Sequence, residues 1–249
     1  MRKIELSKLD LLFAKISENG KLYIPVDENG GAKFEPWSEG KQLSDALNTV
    51  RSAKDFFFPQ TENLMDFKTE GKTIEIIDTR KECEDFVLFG VRACDVKSFE
   101  ILDRVFLSEP VDTYYKNRRE HAVIMSMACV KPSETCFCGT FGIDPSEPSG
   151  DIECYKTESA LFMNPKTEKG EALLRALEDI TENADKSEVS AQKELIKERT
   201  DKLPLSSLSA DKFGKDKTAE FFDAGHLLGS AMIRLTLREN GVEKSIVFS

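Results

Sequence analysis

The chain has 249 residues, of which 40% are hydrophobic and 32% are charged, and its formal net charge is −10. This length allows one sizeable domain with appendages. The negative charge argues against a nucleic-acid backbone as the main partner, because phosphate recognition needs a basic surface. We expect no membrane insertion and a cytoplasmic location, since the sequence has neither a long apolar run nor a signal peptide.

The first predicted elements mix helix and strand. Apolar residues at helical spacing predict an amphipathic helix over residues 3–19. Two apolar runs that flank a Gly-Gly turn predict a β-hairpin over 22–36. Residues 73–78 are typical of a strand, and the apolar run over 86–91 is typical of a buried strand.

A second buried strand is expected at 122–127, after a helix that begins near residue 96. Asp95 stands in front of that helix and is expected to cap it. The exposed N–H groups of the helix start should also favour the thiolate form of Cys94. The stretch 129–150 is rich in turn residues, which is typical of a loop that wraps a site.

These elements predict an α/β fold with a mixed sheet and a Cys-rich loop over about residues 1–165. A charged helical segment is expected over 166–204, and a linker rich in Ser, Lys and Asp over 205–217. The last part, 218–249, is expected to form a terminal β-hairpin.

Four of the six cysteines form the main candidate site. Cys94 and Cys129 each follow one of the two buried strands, so they meet at the carboxyl edge of the sheet if those strands are parallel neighbours. Open α/β sheets bind ligands at that edge. With Cys136 and Cys138, these thiolates would suit an iron–sulfur cluster or zinc, whereas disulfides are not expected in the cytoplasm.

Ordinary explanations of the same residues stay open. The spacing Cys-x6-Cys-x-Cys is neither a ferredoxin run nor a zinc-finger pattern, and free cysteines are commonly buried as small apolar side chains. Arg92 and Arg119 could balance the charge of an anionic cluster, or could form ion pairs with nearby carboxylates. Cys83 and Cys154 lie outside the group, and His121 is expected to be structural.

A series of motifs between residues 56 and 150 resembles a known family. In chain order the motifs are Phe58-Pro59, Phe89-Gly90-Val91-Arg92-Ala93-Cys94-Asp95, Tyr114-Tyr115-Lys116-Asn117-Arg118-Arg119-Glu120, Ala128-Cys129, Cys136-Phe137-Cys138 and Phe141-Gly142. They are similar to the beta subunit of cytoplasmic NiFe sulfhydrogenases and to the related A subunit of anaerobic sulfite reductase. The resemblance extends over about residues 1–200.

This resemblance implies a subunit of an oxidoreductase complex in anaerobic metabolism, not catalytic by itself. Members of the family carry electrons between a flavin- and pyridine-nucleotide-binding subunit and a terminal catalytic subunit. They normally continue into a ferredoxin-like module, in which two Cys-x2-Cys-x2-Cys-x3-Cys runs hold 4Fe-4S clusters. No cysteine follows Cys154 in this sequence, so we expect that module to be absent.

The last part of the chain resembles a different family. Residues 221–232 and 245–249 are similar to the metallo-β-lactamase-fold RNA nucleases of the β-CASP group, in which the histidine matching His226 is a zinc ligand. The His-x-His-x-Asp-His motif of that family is missing. A dinuclear hydrolytic site needs several converging ligands, which one histidine cannot supply. We therefore interpret 218–249 as a partial metallo-β-lactamase-like fragment.

The sequence as a whole predicts an iron–sulfur electron-transfer subunit of a hydrogenase or sulfite reductase complex. Two alternatives remain. One is a fragment of a zinc-dependent ribonuclease. The other is a structural zinc-binding docking domain, since closed sites of four cysteines usually hold structural zinc.

Overall fold

The computed structural model shows an α/β fold. It describes residues 1–18, 20–204, 206, 217–223, 231–239 and 242–248. The strands, in chain order, are β1 (Arg2–Glu5), β2 (Lys21–Glu28), β3 (Gly31–Pro36), β4 (Met65–Glu70), β5 (Thr73–Asp78), β6 (Phe86–Arg92), β7 (Ala122–Met127), β8 (Ile152–Lys156), β9 (Ala160–Pro165), β10 (Glu182–Asn183), β11 (Lys217–Asp223), β12 (Ala231–Glu239) and β13 (Val242–Phe248). The α-helices are α1 (Leu9–Ser17), α2 (Ala93–Phe106), α3 (Thr113–His121), α4 (Glu168–Ala176) and α5 (Ser190–Asp201).

One mixed sheet contains eight strands in the order β10-β1-β9-β8-β7-β6-β2-β3. The four neighbours β8, β7, β6 and β2 run parallel, and the outer strands pair antiparallel with their neighbours. This arrangement confirms the predicted fold class. The pairing of Arg92 with Met127 also places the ends of the two predicted buried strands side by side.

Helices cover both faces of this sheet, which is why its central strands β6 and β7 are largely apolar. Phe86 and Leu88 of β6 belong to a core that includes α2 and α3, whereas Val87 and Phe89 belong to a core that includes α1 and α4. A third, smaller core joins α5 to β8 and β9.

A bulge at Gly90 breaks the alternation of side chains along β6. Gly90 has a φ of 88°, in the left-handed region, and the pairing with β7 changes register between Phe89 and Val91. Val91 consequently joins the same core as Leu88. Because a bulge re-aims the residues that follow it, Gly90 sets the direction in which Arg92 leaves the sheet.

Two local predictions were wrong. Residues 2–5 form β1 and not the start of a helix, because they pair with β9 and β10. Asp95 does not cap α2: Arg92 holds the cap position without a side-chain bond. Asp95 instead accepts a hydrogen bond of 2.6 Å from Ser52 Oγ.

The terminal β-hairpin is present as β12 and β13, and β11 adds a third antiparallel strand to it. Most of the predicted linker over 205–217 lies outside the described residues. None of the helices within the described ranges has the length and the hydrophobicity needed to cross a membrane.

The hairpin of β4 and β5 is separate from the main sheet and exposes an apolar face. Phe67 pairs with Ile76, and the same side of the hairpin carries Met65 and Ile74. These four residues, which we call the hairpin face, are 57–70% exposed. The opposite side carries mainly charged residues. Exposed apolar patches with a polar surround are typical of interaction surfaces.

Arg119 belongs to a half-buried network between α2 and α3. Its guanidinium donates two hydrogen bonds of 2.8 Å to the Asp103 carboxylate and lies 4.8 Å from the centre of the Phe57 ring. Tyr115 donates to the same carboxylate at 2.6 Å. Burial alone would raise the pKa of Asp103, but the hydrogen bonds from Arg119 and Tyr115 outweigh it and hold that pKa below its usual value.

Replacing Gly90 with alanine should destabilise the fold. A Cβ at this left-handed position is strained by about 1–2 kcal/mol, and it would stand 3.1 Å from the Pro25 ring. We expect urea unfolding to show a free energy of unfolding lowered by at least that amount. Gly139→Ala is the control and should change little, since its backbone is not left-handed and a Cβ has room. Equal stability of Gly90→Ala and the wild type would contradict a strained bulge.

Asp103→Asn should lower the free energy of unfolding by about 2 kcal/mol at neutral pH, because the Arg119 guanidinium loses its anionic partner. Folding lowers the pKa of Asp103. The stabilisation is therefore present above the unfolded pKa of about 3.9, and it is lost as the pH falls through the lower folded value. Thermal unfolding at several pH values measures both effects.

The control for this variant is Glu100→Gln, which removes a partly exposed pair with Lys97 on the same helix. That change should cost less than about 1 kcal/mol. If Asp103→Asn were as stable as the wild type at neutral pH, the pair would not contribute to the stability of the fold.

Candidate functional site

The four candidate cysteines come together at the carboxyl edge of the parallel strands, and we call them the thiol site. Cys94 is the second residue of α2, directly after β6, and Cys129 follows β7. Cys136 and Cys138 lie in the loop after β7, where Cys138 begins a short 3-10 turn. Cys129 is buried and Cys94 is exposed, and the other two lie between these extremes.

The four thiols influence one another electrostatically. Burial is the main reason that the pKa values of Cys94, Cys129 and Cys138 are raised. Charge on Cys138 contributes to the shift of Cys94, and charge on Cys136 or Cys94 contributes to the shift of Cys129. Cys136 and Cys129 raise the pKa of Cys138 in the same way. Each thiol therefore lies within electrostatic reach of at least two others.

Cys94 corrects one prediction about the thiolate. The N–H groups of Cys94 and Asp95 at the start of α2 do favour the charged form, as expected. However, although Cys94 as a residue is partly open to solvent, protein packed around the thiol displaces some of its water, and the Asp95 carboxylate repels a negative charge. Together these effects raise the pKa of Cys94 to about 11. The thiol is therefore neutral near pH 7, and the helix start does not make it a thiolate.

Arg92 is the cation of the thiol site. Burial raises the pKa of Cys129, and the positive charge of Arg92 is the contribution that opposes this shift. The guanidinium is fixed by hydrogen bonds of 3.2–3.3 Å to the carbonyl oxygens of Ala46, Leu47 and Ala128. Arg92 is thus held where it would stabilise negative charge on the thiols.

Arg119, which was predicted to play the same part, is not brought to the thiols. It precedes β7 whereas Cys129 follows β7, and a strand of this length separates them by roughly 20 Å. Its partner is the Asp103 carboxylate. The sequence could not indicate this pairing, because the packing of α2 against α3 brings Asp103 to Arg119.

The four cysteines are suitable ligands for an iron–sulfur cluster or zinc, but their side chains are not arranged around a common centre. Four cysteines at one edge of a sheet supply the ligands of an iron–sulfur cluster or of structural zinc. In the described part of the chain, no three Cys, His, Asp or Glu side chains are arranged to hold a metal ion. Ligation would therefore require these side chains to move closer together.

The remaining candidates do not join the thiol site. Cys154 is fully buried in β8, and Cys83 lies before β6, at the opposite end of that strand. His121 Nδ1 lies 2.6 Å from Asp85 Oδ1, as expected for a structural residue. His226 falls outside the residues that the structure describes.

The sequence did not predict a cleft of about 760 Å³ beside the thiol site. Cys129 and Arg92 form part of its wall, and Lys131 and Lys156 also line it. Its lining comes from β2, from the segment after β3, from the ends of β6, β7 and β8, from the loops after β7 and β8, and from α5. No local sequence pattern marks such a cleft, because its residues are far apart in the chain.

A known protein is similar to much of this chain. The chain is 31% identical over 188 residues to sulfhydrogenase 2 subunit beta of Pyrococcus furiosus. The aligned part is 75% of this chain and 54% of the relative, so the chain spans about half the length of the curated relative it matches. No protein-family model and no solved structure matches the chain.

The comparisons do not support the resemblance of the last part of the chain to β-CASP nucleases. They do agree with the resemblance of the motifs between residues 56 and 150 to sulfhydrogenase beta subunits. The similarity to a sulfhydrogenase subunit thus supports the hydrogenase beta subunit family for this chain.

Proposed function

We propose that this chain is an electron-transfer and docking subunit of a hydrogenase-type redox complex, and that the thiol site holds its iron–sulfur cluster. The observation that carries this proposal is the convergence of Cys94, Cys129, Cys136 and Cys138 at one edge of the sheet. The relative is named as a subunit of a sulfhydrogenase, which favours a hydrogenase over a sulfite reductase complex. A cytoplasmic setting is part of the proposal.

An iron–sulfur cluster would supply one-electron chemistry at this position. The chain contributes the environment of the ligands. Cys129 is buried, so little of this ligand would be in contact with water. Arg92 brings a positive charge to Cys129, and positive charge beside thiolates stabilises the reduced, more anionic state. The protein would thereby set how easily the cluster is reduced, and the four thiols would hold the cluster in place.

The proposed partners are the other subunits of the complex, namely a flavin- and pyridine-nucleotide-binding subunit and a terminal catalytic subunit. The hairpin face supports docking of this kind, because its four apolar residues are largely exposed. Association would remove them from water, which is the main driving force of stable assembly. Arg80 lies 4.9 Å from the ring of Tyr114 and anchors the base of the hairpin to α3.

Protein purified without oxygen should contain iron and acid-labile sulfide, roughly four of each per chain for a 4Fe-4S cluster. The double variant Cys136→Ser/Cys138→Ser should lose both, because it removes two of the four ligands. Elemental analysis and a sulfide assay measure these contents.

The matched control is Cys83→Ser, which removes a thiol outside the thiol site and should keep the full iron content. If the protein instead contains zinc but no sulfide, and the double variant loses that zinc, the thiol site is a structural zinc site and not a cluster site. Protein that binds neither metal would reject the cluster and leave the docking role alone.

The double variant Phe67→Ser/Ile76→Ser should detach the chain from its complex. Each substitution removes an exposed apolar side chain that belongs to none of the cores in the described part of the chain, so the stability of the main sheet and its helices should change little. The tagged chain is purified from its native host, and the hydrogenase subunits that accompany it are quantified by mass spectrometry.

Lys68→Ser, on the charged side of the same hairpin, is the control and should keep the partners. Full retention of the hydrogenase subunits by Phe67→Ser/Ile76→Ser would show that the hairpin face is not the docking surface. A tagged wild-type chain that brings no hydrogenase subunit with it would contradict the proposed complex.

A further inference from the structure

The cleft beside the thiol site has the dimensions and location of a binding site. Its volume is about 760 Å³, within the range of roughly 300–1,000 Å³ that small-molecule sites occupy. It opens at the carboxyl edge of the parallel strands, where α/β sheets commonly bind ligands. Leu43, Leu47, Met127 and Leu195 give it an apolar wall.

Positive charge is concentrated in this cleft. Arg92, Lys131, Lys156 and Arg199 line it, and they come from the ends of β6, β7 and β8 and from α5. The carboxylates in the lining are Asp45 and Glu158, so four cations face two anions. The lining of the cleft therefore carries an excess of positive charge, whereas the whole chain has a net charge of −10.

In the described part of the chain, one of these four cations has a carboxylate within ion-pair distance. Lys156 pairs with Asp45. Among the described residues, no carboxylate lies within ion-pair distance of Arg92, Lys131 or Arg199. The two guanidinium groups are nevertheless held in place, since Arg92 donates to three carbonyl oxygens and Arg199 donates to the Val130 carbonyl at 2.7 Å. Both guanidinium groups are therefore oriented, and no carboxylate of the described residues forms an ion pair with either of them.

The carboxylate of Asp45 responds to this concentration of charge. Its hydrogen bond with Lys156 lowers its pKa, and the charges of Lys131 and Arg92 lower it further, against the opposing effect of burial. One carboxylate is thus under the influence of three cations from three different segments. A second anion entering the cleft would meet the same charges.

We propose that this cleft binds a small organic anion, a compound with an apolar body and a phosphate or carboxylate group. The apolar wall would take the body, and the fixed guanidinium groups with Lys131 and Lys156 would take the charged group. An extended acidic peptide is the competing occupant. The volume of the cleft favours a compact ligand. The charged groups that would hold the anion are Arg92, Lys131, Lys156 and Arg199, and of the four thiols only Cys129 lines the cleft.

Phenyl phosphate, benzoate and inorganic phosphate are suitable probes for calorimetric titration of the full chain. Phenyl phosphate or benzoate should bind more tightly than inorganic phosphate, because only they offer an apolar body. The preference between the first two identifies the anionic group. Affinity should fall as the salt concentration is raised to about 0.3 M, because salt screens the cations.

Two variants with opposite expected effects make the test sharp. Lys131→Gln/Lys156→Gln should weaken binding about tenfold or more, since each lysine is a charged hydrogen-bond donor. Asp45→Asn should tighten binding severalfold, because it removes the anion that competes for the same cations. Misfolding cannot explain a gain in affinity. Lys97→Gln, which removes one positive charge outside the cleft, is the control and should bind like the wild type.

The proposal fails if none of the probes binds at millimolar concentration, or if binding is the same in the wild type and in both cleft variants. It also fails if hexaglutamate binds more tightly than both organic anions, which would assign the cleft to an acidic peptide. Cys136→Ser/Cys138→Ser should still bind the organic anions more tightly than inorganic phosphate, because neither side chain lines the cleft. Loss of the cluster and loss of anion binding are therefore separate results.

Discussion

The candidate chemistry of this protein depends on one structural constraint, the parallel pairing of β6 with β7. Parallel neighbours end at the same edge of a sheet, so residues that directly follow them must come close together. The register that pairs Arg92 with Met127 therefore brings Cys94 and Cys129 to one place. The bulge at Gly90 completes this geometry, because it turns the end of β6 and aims Arg92 at the same edge.

The sequence predicted those parts of the fold whose signal is local. The continuous apolar runs of β6 and β7 predicted two strands that are buried on both faces. Cys94 and Cys129 directly follow these runs, and the structure has both residues at the carboxyl ends of the two strands. The interpretation of residues 2–5 failed because their strand exists only through pairing with β9 and β10, and tertiary pairing overrides local propensity. The prediction that Arg119 belongs to the thiol site was wrong for a similar reason, since its partner Asp103 comes from another helix.

At the thiol site, two physical effects act in opposite directions. The start of α2 favours a thiolate at Cys94, but loss of water and the nearby Asp95 carboxylate cost more. A residue placed at a helix N-terminus is therefore not activated by that position alone, and its solvation has to be known as well. Sequence patterns report the helix start, whereas solvation follows from the assembled fold.

The main sheet and the β4–β5 hairpin differ in how exposed their edge strands are. The main sheet ends at one side in β10, which is only two residues long, and such short edge strands offer little for another chain to extend. The hairpin has no such protection, because both of its edges and the side chains of Phe67 and Ile76 are open to water. Such a hairpin is an exposed template for aggregation, and covering it, as the proposed docking would, should raise the solubility of the chain.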